Sequence, residues 1–166
     1  MDRARAIVAL LAAMDEGMHE ALAGEALDAI ETVPDMEARR WLLVELAPRL
    51  SPPLARRAYT AALGIGEWSE QARALVGIAP TLAEEDRRRA LAEALGGVRA
   101  VLADRGPAAE LAAELAPGLD DLDPATLHGL WTELLHAAAQ IGGQDLAQAV
   151  GVLRPLAERL CGPRQG

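Results

Sequence analysis

Between Met36 and Leu46 the chain sets Met36, Arg39, Leu42, Leu43 and Leu46 on one arc of a 3.6-residue period, while Glu37, Trp41 and Glu45 recur at every fourth position on another. Such a segment is an amphipathic helix that cannot bury its stripe alone. The rhythm continues along the chain in runs of about a dozen residues, each closed by a proline, a glycine or a capping side chain. Helices are predicted near 3–14, 18–32, 36–47, 52–63, 68–79, 83–95 (with an extension to 103 as the alternative), 107–116, 124–140 and 144–160, with Pro155 kinking or ending the last. Ser51-Pro52 and Asp123-Pro124 read as an N-cap followed by proline at the first helical position, and Thr81-x-x-Glu84 reads as a capping box. Gly64, Gly96-Gly97 and Gly142-Gly143 read as C-terminal stops.

The segments repeat. Ala47-Pro48-x-Leu50, Ala79-Pro80-x-Leu82 and Ala116-Pro117-x-Leu119 recur at spacings of 32 and 37 residues. A shift of 32 also lays Leu43-Val44 on Leu75-Val76, Arg56-Arg57-Ala58 on Arg88-Arg89-Ala90, and Leu63-Gly64 on Leu95-Gly96. Each unit reads as two antiparallel helices, with units of about 2–34, 35–66, 67–106 and 107–142 and a partial one at 143–161. The expected fold is all-α, a right-handed α-solenoid of about four to five antiparallel helix pairs. It forms one domain over 1–161, with 162–166 as a flexible tail.

Composition agrees with this pattern. Alanine supplies 36 residues and leucine 27, whereas aromatic residues make up 2%, too little β-forming material for a sheet. No apolar run reaches the roughly 18 residues of a membrane span, so neither a membrane nor a secretory leader is expected. Sixteen basic residues, all arginine, against 25 acidic ones give a net charge of -9, which repels a phosphate backbone and argues against nucleic acid. Lysine, asparagine and phenylalanine are absent; their codons are AT-rich, so GC-rich coding DNA and a bacterial cytoplasm are expected. The single cysteine, Cys161, has no internal disulfide partner.

The run Ile65-Gly66-Glu67-Trp68-Ser69-x-x-Ala72-Arg73-Ala74-Leu75-x-x-Ile78-Ala79-Pro80-x-Leu82 resembles the degenerate two-helix repeats, related to TPR and HEAT arrays, of bacterial signalling and conflict (defence) proteins. It lacks the Trp, Gly and Tyr spacing of the first TPR helix, and its unit is shorter than the roughly 40 residues of HEAT. The resemblance implies a sensing or scaffolding module that binds a protein or peptide partner, an effector protein among the candidates.

Of the three tryptophans, Trp68 aligns with Met36, and Trp131 with Tyr59 and Leu91, which predicts core or near-core positions for both. Trp41 aligns with Arg5, Arg73 and Glu110, which predicts partial exposure and a partner-binding role. Arg56-Arg57 and Arg88-Arg89 are expected to stack into a basic ladder for an acidic peptide or a phosphate, or else to pair with nearby carboxylates such as Glu84, Glu85 and Asp86. The partner-binding expectation therefore rests on Trp41, Arg56, Arg57, Arg88 and Arg89.

Glu16-x-x-His19 and Glu133-x-x-His136 carry the spacing of di-iron carboxylate ligands and offer a rival reading as a metal- or small-molecule-binding helical protein, an enzyme included. Gly17 inside the first motif and the frequent helix breaks weigh against it. No phosphate loop or nucleophile elbow occurs, so no catalytic residue, metal or cofactor is expected. Alanine- and leucine-rich terminal faces, with Val150, Val152, Leu153, Leu156 and Leu160 in the last helix, leave a homodimer as a further expectation.

Overall fold

A computed structural model describes residues 19–103, 108–119 and 123–141, together with Ala6 and Arg154. Among the described residues the protein is all-helical. The helices are α1 (His19–Glu31), α2 (Met36–Leu46), α3 (Pro52–Leu63), α4 (Trp68–Ile78), α5 (Glu84–Ala103), α6 (Ala108–Leu115) and α7 (Pro124–Ile141). The expected helices at 3–14 and 144–160, the Gly142-Gly143 stop and the 162–166 tail lie outside the described residues.

Local chemistry sets most of the boundaries. Asp35 is extended and its Oδ1 accepts from the Ala38 amide at 2.7 Å, which starts α2. At α7 the Asp123 carboxylate accepts from both the hydroxyl and the amide of Thr126, and these bonds hold it below the usual carboxylate range. Pro52 opens α3 where its missing N–H costs nothing, but the preceding Ser51 caps nothing; its hydroxyl donates to Glu20 Oε1 on α1 at 2.9 Å.

Two expectations are corrected. Thr81 forms no capping box, because its hydroxyl donates back to the Ile78 carbonyl at 2.7 Å and α5 starts later, at Glu84. Nor is Gly96-Gly97 a stop, since α5 runs through it to Ala103. Two glycines cost a helix interior only about 1 kcal/mol each, and burial of the adjoining Leu95 and Val98 offsets that.

The three Ala-Pro-x-Leu motifs each form a 3₁₀ turn, after which Leu50 and Leu82 are extended whereas Leu119 is not. Ala47–Arg49, Ala79–Thr81 and Ala116–Gly118 are each a single 3₁₀ turn following α2, α4 and α6, and the leucine amide donates to the alanine carbonyl at 3.2, 3.1 and 3.2 Å. Proline at the second position tightens the last turn of the helix without losing a needed donor.

Contacts divide the chain into two compact units, Met1–Ala94 and Leu95–Gly166, with the division falling inside α5. In the first unit α1 packs on α2 and α3, α2 on α3 and α4, and α3 on α4. Leu42, Leu43 and Leu46 of α2 are fully buried, each contributing roughly 1.5–3 kcal/mol. Ala26, Ala58 and Ala90 are wholly buried at intervals of 32 residues, as are Ile30, Ala62 and Ala94, and the small side chains permit close helix approach. Gly77 takes this furthest: a Cβ there would lie 2.5 Å from Val44 Cγ2. The second unit buries Leu95, Val98, Leu111, Ala112, Leu115, Leu119 and Leu134.

Candidate functional site

Two polar residues that sit on buried helix faces hold the helix pairs of the first unit in place. Arg39 donates to the carbonyls of Glu31 at 2.6 Å and Val33 at 3.2 Å, and it reaches the Gly64 carbonyl at 3.4 Å. Gln71, 32 residues on, donates through Nε2 to Leu63 at 2.7 Å and Ile65 at 3.2 Å. In both cases the acceptors lie eight and six residues upstream, at the end of the preceding helix, where the last carbonyls lack helical donors. Each latch thereby fixes one loop between helices and the angle at which the next helix leaves it.

Across the α2–α4 contact, Glu70 is a buried carboxylate with two cations. It accepts from Arg40 Nε at 2.7 Å and from Arg73 at 2.6 Å, so one side chain on α4 ties itself to α2. A buried charge is tolerable only when so compensated. Both guanidiniums thus meet on the Glu70 carboxylate.

The outer arc of α2 is a different surface. Trp41 is 41% exposed, and Glu37 and Glu45 are exposed one turn to either side. Glu37 has only a loose ion pair with Arg40 at 4.0 Å, and among the described residues no arginine reaches the Glu45 carboxylate. An aromatic face thus stands between two solvated carboxylates along a stripe of about 12 Å, eight residues at 1.5 Å each.

The arginine pairs are in place but are not an open basic ladder. Arg56 faces Asp86 at 3.8 Å, Arg57 pairs with Asp28 and with Glu31 at 3.4 Å, Arg88 pairs with Glu84, and Arg89 pairs with Glu85 and lies 4.0 Å from Asp86. Four guanidiniums therefore meet five carboxylates. The hydrogen bond from Arg57 to Asp28 raises the guanidinium's pKa further above its ordinary range. Beside them, burial pushes the Tyr59 phenol up, and Glu93 and Asp86 add to the shift.

Trp68 is not a core residue. It is 49% exposed, because it occupies the first position of α4 beyond the end of the packed stripe that the alignment with Met36 implied. Leu63, at the end of α3, is 38% exposed, while Trp131 is half-buried. Of the Glu-x-x-His motifs, Glu133 accepts from Arg99 Nε at 2.8 Å and His136 is exposed on the same helix. Glu16 and Cys161 lie outside the described residues, as do Val150, Val152, Leu153, Leu156 and Leu160. Among the described residues no group of three or more His, Cys, Asp and Glu side chains converges on a metal-sized point, and no helix is long and apolar enough to cross a membrane.

The latches and the Glu70 bridge are invisible to motif matching. Their signal was a polar residue inside an apolar stripe: Arg39 stands on the buried arc of α2, and Gln71 stands one period later.

Compared with known proteins, the chain matches no protein-family model, no curated protein and no solved structure.

Proposed function

We propose that this chain is a non-catalytic protein-interaction scaffold, a right-handed α-solenoid of about four to five antiparallel helix pairs like the repeat arrays of bacterial signalling and conflict proteins. The observation that carries the reading is recurrence at the level of hydrogen bonds. Arg39 and Gln71 hold carbonyls at identical offsets, and the three Ala-Pro-x-Leu motifs each close a 3₁₀ turn through the same leucine-to-alanine hydrogen bond. Stacked units present a surface that is already ordered, so association loses little entropy in the scaffold itself.

The partner is a protein or peptide, and Trp41 is its anchor. Large aromatic side chains carry much of the energy of such contacts. Arg56, Arg57, Arg88 and Arg89 belong to the rim, where charges already neutralised by carboxylates add orientation more than affinity.

Affinity capture from a native lysate, comparing wild type with Trp41→Ala and with Arg56/Arg57/Arg88/Arg89→Ala, tests the reading. A specific protein lost on Trp41→Ala is the expected result. Capture that is indifferent to both variants, or a retained metal or small molecule with no protein, would overturn it.

A further inference from the structure

We propose that α5 carries a hinge at Gly96-Gly97, where the helix opens locally while both of its halves stay packed. The inference goes beyond the scaffold reading and does not depend on what the scaffold binds.

Three observations place the hinge. First, the two halves of α5 are anchored separately, with the division between the compact units falling between Ala94 and Leu95. Ahead of it Ala90, Leu91 and Ala94 are buried, and Asp86 faces Arg56 of α3 at 3.8 Å. Behind it Leu95 and Val98 are buried, and Arg99 Nε donates to Glu133 of α7 at 2.8 Å.

Second, glycine, the poorest helix former apart from proline, occupies two successive positions just past that division. No other adjacent glycines occur among the described residues. Nothing in the helical state requires a glycine at 96, since a Cβ there meets no atom within 4 Å, whereas Gly77 is required by Val44. Gly24 and Gly129 are equally open, but each stands alone and well inside one unit.

Third, the same residues end a helix elsewhere in the chain. Leu63-Gly64, 32 residues upstream of Leu95-Gly96, closes α3, and the Gly64 amide is shared between the Thr60 and Ala61 carbonyls at 3.3 and 3.2 Å. Packing on either side carries α5 through Gly96, while the local chemistry at that point favours a stop. Opening there releases the amides of residues 97–100, which donate four residues back across the junction, and leaves Leu91 and Leu134 covered. A scaffold with such a joint adjusts to its partner by turning one short backbone segment, without melting a core.

Native-state amide hydrogen exchange of the full chain, read by NMR from zero to sub-denaturing urea, tests the hinge. Corrected for intrinsic rates, the amides of residues 97–100 should exchange at least about tenfold faster than those of Leu91 and Leu134. Their exchange should depend little on urea, because the opening exposes little surface. Gly96→Ala restores helix propensity at the junction and should slow them about fivefold. Gly24→Ala and Gly129→Ala make the same change in α1 and α7, and should alter exchange at residues 97–100 by less than about twofold.

Exchange of residues 97–100 that matches Leu91 and Leu134 in rate and urea dependence overturns the hinge, because α5 then opens with the whole protein. So does a Gly96→Ala effect no larger than that of the two control alanines, which would place the weakness away from the glycine pair.

Discussion

The same substitution at two helical glycines is expected to change stability in opposite directions. Gly77 lies in α4 where α2 crosses it, and an alanine Cβ there would sit 2.5 Å from Val44 Cγ2, 3.1 Å from Cγ1 and 3.4 Å from Cβ. Ordinary carbon contacts begin about 1 Å further out. Val44 is β-branched and in a helix holds essentially one χ1 rotamer, so relief requires that α2 and α4 separate or that Val44 leave its preferred rotamer. Overpacking of this kind costs about 1–3 kcal/mol, against a gain of about 1 kcal/mol in helix propensity. Gly77→Ala should therefore destabilise by about 1 kcal/mol. Gly96, in α5, has nothing within 4 Å of a built Cβ, and Gly96→Ala should stabilise by about 0.5–1 kcal/mol. In a Val44→Ala background the obstruction at Gly77 is gone, and Gly77→Ala should become stabilising, a coupling of about 2 kcal/mol. Equilibrium urea unfolding, followed by circular dichroism and by tryptophan fluorescence, measures all of these. If Gly77→Ala stabilises the wild type as much as Gly96→Ala does, α2 and α4 do not approach as described.

Other expectations follow from the latches and from the one tyrosine. Gln71→Leu strips the donor from the carbonyls of Leu63 and Ile65 and should cost about 1–3 kcal/mol, whereas Gln71→Arg, which copies the Arg39 latch, should cost much less; urea midpoints report both. Tyr59 is the only tyrosine, so phenolate absorbance titrates it cleanly, and its midpoint in the native protein should lie above that of the urea-unfolded chain. The native state then holds the phenolic proton longer than the unfolded one. Stability should thus fall as pH rises past the unfolded phenol's range, and Tyr59→Phe should remove that part of the alkaline loss. At the other extreme Asp123 has a depressed pKa, so the start of α7 should loosen as pH falls through its folded value, seen as faster exchange of the Thr126 amide relative to the Asp123→Asn variant.

Much of the helix layout was legible because caps and breakers act locally. The boundaries of α3 follow from Pro52 and Gly64, though not from the expected Ser51 cap, and the three 3₁₀ turns follow from three copies of one motif. Local chemistry misled where packing decides. Gly96-Gly97 reads as a stop in isolation, but buried Leu95 and Val98 carry the helix onward. Thr81 has the spacing of a capping box, yet a carbonyl three residues back takes its hydroxyl. At the candidate site, the charged residues aligned with Trp41 pointed to an exposed position, and it is exposed. The arginine pairs were legible as residues but not as ion pairs, since Arg57 meets Asp28 from another helix, 29 residues away. Trp68 was misplaced because alignment with Met36 says nothing about a ring at the very start of a helix.

The reading of the chain as a modular array of helix pairs is tested most directly by lengthening it. A second copy of residues 51–82, one 32-residue period, inserted after Leu82 joins an Ala-Pro-x-Leu turn to Ser51-Pro52 and offers the original Val76 the inserted copy of Gly77, as Val44 meets Gly77 in the parent. Nearest-neighbour stacking predicts that the insert adds one more stabilising interface. Thermal unfolding by circular dichroism should show helicity per residue equal to that of the parent and a midpoint at least as high. Reduced helicity per residue, or a midpoint several degrees lower, would mean that the helices form a closed core that cannot accept another pair, and would contradict the account.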